Sequence, residues 1–154
     1  MMGPHQEATV ASPPTDRAPR AYVVGGGSDD VTVIDTATHE VVGKVGVGDE
    51  PMIPALSPDR RTLLVSNRDS LDVTVIDTAT LEPTGRVEVQ DGAAGCGFSP
   101  DGRTAYVANE YSHTVSVVDT ATWTARDHVH VGHGPCALRV MPDGAVIVTN
   151  EESH

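Results

Sequence analysis

Val73-Thr74-Val75-Ile76-Asp77-Thr78-Ala79-Thr80 is a run of alternating β-formers closed by an Asp-Thr-Ala-Thr tail, and the chain contains this pattern three times. The same residues occupy Val31 to Thr38. A near copy, Val115-Ser116-Val117-Val118-Asp119-Thr120-Ala121-Thr122, follows, so the shared Asp stands at 35, 77 and 119, at intervals of 42 residues. A second marker keeps the same phase: Ser57-Pro58-Asp59, Ser99-Pro100-Asp101 and Met141-Pro142-Asp143. A third is a β-run ending in Asn, at Asn67, Asn109 and Asn150, the last spacing being one residue short. In-phase markers at this period mean a solenoid or a propeller, and the filling decides between them.

The filling is all strand. In the second repeat, four short runs divided by turn signals are predicted at 52–56, 62–66, 73–76 and 85–89, here called A, B, C and D. Ser-Pro-Asp-Gly-Arg joins A to B in the third repeat, with Pro presetting φ and Gly102 taking a positive φ. Asp-Thr-Ala-Thr joins C to D, where the Asp and Thr side chains can bond their own backbone.

Taken together, Ile76-Asp77-Thr78-Ala79-Thr80, Ser99-Pro100-Asp101-Gly102 and Val148-Thr149-Asn150 resemble the YVTN-type (YncE-like) β-propeller repeat family, over residues 20 to 154. The resemblance implies an all-β fold of four-stranded antiparallel blades, about three to three and a half per chain. It implies little about chemistry, because such blades occur in binding proteins, surface proteins and a few enzymes. The expected division is an irregular segment or degraded strand at 1–19, a partial blade at 20–48, blades at 49–90 and 91–132, and a half blade at 133–154. A run this short leaves sheet edges open. A second copy completing the ring, its C-terminal A and B strands meeting the N-terminal C and D strands, is the expected remedy, and a piece of a longer propeller is the alternative.

Composition bounds the partners. The 154 residues carry a formal charge of −12, which opposes nucleic acid and acidic membrane surfaces, since both require clustered Lys and Arg. The stretch before Arg20 has no apolar core of a signal peptide, and no window reaches the length of a membrane span. Neither export nor membrane insertion is therefore expected, and the cytoplasm is the default. A bridge between Cys96 and Cys136 is not expected either, because adjacent A strands splay apart.

In an antiparallel meander the B–C and D–A loops share one face and the A–B and C–D turns share the other. The turn face repeats the same residues and reads as structural. The loop face varies from blade to blade and carries Glu110, Tyr111, His113 and His133, the expected ligand-binding residues. Asn67, Asn109 and Asn150 on this side read as turn formers. Among the ligand-type clusters, His128, His130, His133 and Cys136 are too far apart radially to share one ion. His113, His133 and Cys136 at the channel mouth are easier to join, and such donors would take copper or zinc. No complete catalytic motif is present, so a binding module for a small molecule or protein is the leading expectation. A metal-assisted or lactonase-like enzyme at the channel mouth is the rival.

Overall fold

The computed structural model describes residues 19–151, and the parts of the expected division at 1–18 and 152–154 lie outside them. These residues form thirteen strands and no helix: β1 (Arg20–Gly25), β2 (Asp30–Asp35), β3 (Val41–Gly46), β4 (Pro51–Leu56), β5 (Thr62–Asn67), β6 (Asp72–Asp77), β7 (Glu82–Glu88), β8 (Ala93–Phe98), β9 (Thr104–Asn109), β10 (Thr114–Asp119), β11 (Thr124–His130), β12 (Pro135–Val140) and β13 (Val146–Asn150). They assort into four antiparallel sheets: β1-β2-β3, β4-β5-β6-β7, β8-β9-β10-β11 and β12-β13. The first sheet holds strands B, C and D, the next two are complete blades, and the last holds A and B.

Sequence phase becomes backbone geometry at every connection. Left-handed residues recur at Asp29, Leu71 and His113 in the B–C loops and at His39, Leu81 and Trp123 in the C–D turns. They recur also at Glu50, Gly92 and Gly134 in the D–A loops and at Arg60, Gly102 and Gly144 in the A–B turns. Only some of these positions are glycine, so side-chain hydrogen bonds must hold the rest. Asp77 Oδ1 accepts from Ala79 N at 2.6 Å and Thr80 N at 3.0 Å, and Asp35 and Asp119 do the same for their own turns. In the A–B turns Ser57 Oγ donates to Asp59 Oδ1 at 2.6 Å and accepts from Thr62 N at 3.0 Å, a pattern repeated by Ser99, Asp101 and Thr104. Thr78 and Thr120 then tie the two kinds of turn together by donating to Arg60 O and Gly102 O, both at 2.7 Å.

Blades pack face to face through Val, Leu and Ala. Leu64, Val73, Val75, Val87, Ala93, Cys96, Ala105, Val107 and Val118 form the core between the second and third blades, and Val31, Val33, Val45, Leu63, Val65 and Ile76 the core between the first and second. Each such Val or Leu contributes roughly 1.5–3 kcal/mol by leaving water. Strands β5 and β6 are covered on both faces, whereas the D strands β7 and β11 face outward and are mostly exposed. That contrast explains the aromatic-poor composition: closely stacked thin blades leave room for β-branched residues rather than large rings.

The D strands begin earlier than their apolar residues indicate, at Glu82 rather than Gly85 in the second blade, and a register shift between Val75 and Ile76 accommodates the extra residue. The recurring Asn residues also differ from expectation. Asn67, Asn109 and Asn150 end strands β5, β9 and β13, and the first two are fully buried. Asn67 Nδ2 donates to Asp72 Oδ1 at 2.6 Å and to Thr74 Oγ1 at 2.9 Å. Asn109 Oδ1 accepts from Thr114 Oγ1 at 2.9 Å and Ser116 Oγ at 2.8 Å, while its Nδ2 donates to Gln90 O. The amides of Asn67 and Asn109 are thus internal ties from strand B to strand C rather than turn formers, although Asn67 Oδ1 is buried without a hydrogen-bond partner.

Candidate functional site

Two sets of backbone bonds fasten the loop face in each repeat. Val47, Val89 and Val131 donate their N–H to Asp29, Leu71 and His113 carbonyls. Arg68, Glu110 and Glu151 donate theirs to Glu50, Gly92 and Gly134 carbonyls. Asp49 N and Asp91 N are bound in addition by the hydroxyls of Ser70 and Ser112, at 3.1 and 2.9 Å. The D–A and B–C loops of a blade are therefore latched together, and their side chains project from a stiff base.

The latches place the expected residues. His113, left-handed at φ 56, and His133 on the next D–A loop stand with ring centroids 4.5 Å apart at an interplanar angle of 53°. Gly134 N donates to His113 Nδ1 at 3.2 Å. A neutral imidazole accepting at Nδ1 carries its proton on Nε2, so His113 offers Nε2–H as a donor. Tyr111 is 53% exposed, and its ring lies over Gly92, where a Cβ would come within 2.9 Å of the ring carbons. At φ +81 that position also favours glycine on backbone grounds.

Glu110 is engaged by a residue outside the expected set. Arg68, at the equivalent position one blade earlier, brings Nη2 within 3.1 Å of Glu110 Oε2 and Nη1 within 3.6 Å of Glu50 Oε1. The ion pair is not aligned as a hydrogen bond: Glu110 Oε2 and Arg68 Nε are both buried without a hydrogen-bond partner. The 42-residue alignment of positions 68 and 110 is the signal that would have found Arg68.

Cys136 is turned to its own hairpin, with Sγ 3.4 Å from Thr149 Oγ1. Among the described residues no group of three or more His, Cys, Asp or Glu side chains is close enough to hold a metal ion, so His113 and His133 come together but the expected triad with Cys136 does not assemble. His128 bonds Ser116 Oγ at 2.9 Å on the outer strand. Cys96 and Cys136 are both free thiols. Cys96 is buried, its Sγ donates to Ile53 O at 3.2 Å, and burial pushes the thiol up to about 12.

The fold is shared with known structures. Hydrazine synthase of Kuenenia stuttgartiensis superposes with a TM-score of 0.82 and 28% identity, over 87% of this chain and 40% of that one. Dihydro-heme d1 dehydrogenase NirN, in complex with DHE, superposes with a TM-score of 0.76 and 23% identity, over 99% of this chain and 35% of that one. The fold is a partial β-propeller. No protein-family profile matches the chain, and no curated protein matches it in sequence. The chain spans well under half the length of either structural neighbour.

Proposed function

We propose that the chain is a YVTN-type propeller module whose B–C and D–A loop face binds a small neutral ligand, with His113 and His133 at its centre and Glu110 and Tyr111 beside them. The observation that carries this reading is the imidazole pair, 4.5 Å apart and oriented by Gly134 N, on loops that are latched to each other. His113 Nε2–H suits a carbonyl or hydroxyl oxygen, and the net charge of −12 disfavours an anion. Copper or zinc on His113 Nε2 would require the opposite tautomer and loss of the Gly134 bond, which favours the hydrogen-bonded ligand.

A second copy is the proposed partner that completes the ring. Among the described residues β1, β2 and β3 occupy the B, C and D positions of the first sheet, so strand A is the position that such a copy would fill there.

The test is a ¹H–¹⁵N spectrum titrated with γ-butyrolactone and N-methylacetamide. Shift changes should cluster at residues 110–113 and 133–134 and vanish in the His113→Ala, His133→Ala double variant. Changes confined to the turn face, or unaltered in the double variant, would remove the imidazole pair from the reading. Hydrolysis of the lactone during the titration would move it to catalysis.

A further inference from the structure

The turn face is not uniform. Between the second and third blades it opens a cleft of about 290 Å³ lined by Asp59, Thr62, Phe98, Asp101, Thr120 and Trp123. Phe98 and Trp123 are the only Phe and the only Trp in the chain, and both line this one cleft. Trp123 takes the left-handed C–D position at φ 54, where bulky side chains are rare. Its counterpart one blade earlier, Leu81, fills the space over Gly43, where an added Cβ would lie 2.8 Å from Leu81 Cδ1. Gly85 is the counterpart of Gly43, yet a Cβ there would meet nothing within 4 Å, so Trp123 does not cover the neighbouring D strand as Leu81 does.

The cleft is also charged. Every hydrogen bond that the turns make to Asp59 and Asp101 goes to Oδ1, from Ser57 Oγ and Arg61 N and from Ser99 Oγ and Arg103 N. The Ser hydroxyl, followed by the backbone N–H, holds each carboxyl below its usual range, so both are ionised at neutral pH. Ion pairs among the described residues join Lys44 to Asp30, Arg68 to Glu50 and Glu110, and Arg86 to Asp72, and none reaches either carboxylate. Arg61 and Arg103 help to lower these carboxyls by their charge but make no ion-pair contact with them.

We propose that this cleft binds an organic cation, an ammonium or guanidinium group held between Asp59 and Asp101 with its alkyl body against Trp123 and Phe98. Aromatic faces and carboxylates attract the same charge, and the volume suits one side-chain-sized group. The site lies on the face opposite His113 and His133 and is independent of them.

Because Trp123 is the sole tryptophan, its fluorescence reports on the site directly. Titration with argininamide should give a saturable spectral change, and the neutral isostere citrullinamide should give none. Asp59→Asn with Asp101→Asn keeps an Oδ1 acceptor for each turn and should weaken argininamide binding at least tenfold. Trp123→Leu, which installs the residue found at position 81, should abolish binding measured by calorimetry and guards against misfolding of the double variant. Equal response to both compounds, no saturable response to argininamide, or unchanged affinity in either variant would overturn the proposal.

Discussion

Replacing Asn109 separates an internal tie from a turn former. Its amide is fully buried at the end of β9 and bonds Thr114 Oγ1 at 2.9 Å, Ser116 Oγ at 2.8 Å, and Ser116 N and Gln90 O at 3.3 Å. Asn109→Gly would be tolerated by a turn, since glycine accepts any turn conformation. In the strand it removes all four contacts. Once Asn109 is gone the Thr114 hydroxyl can turn its proton to Gln90 Oε1 at 2.6 Å and Ser116 Oγ keeps His128 Nδ1 at 2.9 Å, so both hydroxyls have a partner and the loss is mainly that of the bonds themselves. At about 0.5–1.5 kcal/mol for each of the two short bonds, less for the long ones, plus roughly 1 kcal/mol for glycine in a strand, the expected destabilisation is about 2–4 kcal/mol. For a chain of this size that lowers the melting temperature by roughly 5–12 °C. Urea unfolding followed by circular dichroism measures it, with Asn109→Ala as the comparison for backbone effects. A change under about 0.5 kcal/mol in both variants would refute the buried-tie reasoning and restore the turn reading.

Acid should act on the A–B turns. Asp59 and Asp101 have folded-state pKa values below the ordinary 3.8, so their contribution is present above that value and disappears as pH falls through the lower folded value. Asp59→Asn with Asp101→Asn should flatten the loss of stability below about pH 4, measured by urea midpoints across pH. Thiol titration should find Cys136 reactive in the native protein and Cys96 reactive only on unfolding, because Cys96 is buried with its thiol near 12. Gly95→Ala should destabilise by about 1–3 kcal/mol, since the new Cβ would stand 2.8 Å from Leu138 N and 2.9 Å from Ala137 Cα on the neighbouring A strand. Urea unfolding checks it.

The repeat markers made the blades legible because each is a local device: Asp77 caps its own turn and Ser57 closes its own hairpin, within five residues in either case. The D strands were placed late because their residues face outward and carry little alternation, as at Glu82-Pro83-Thr84. Asn109 reads as a turn former for a related reason. Its partners lie five and seven residues on, in the next strand, and its identity alone suits a turn equally well. His113 and His133 were placed on one face by topology, but their contact depends on a glycine N–H that no motif announces. The Arg68–Glu110 pair and the Trp123 cleft join different blades, and contacts between blades leave no trace in a single repeat.

Native-state hydrogen exchange tests the central claim, a run of blades stacked on a shared core, most directly. The account predicts that amides of β5, β6, β9 and β10, covered on both faces, exchange slowest and as one cooperative unit. The outward strands β7 and β11 should open earlier. Slowest exchange in residues 82–88 or 124–130, or separate protection of the second and third blades with no common opening, would contradict it.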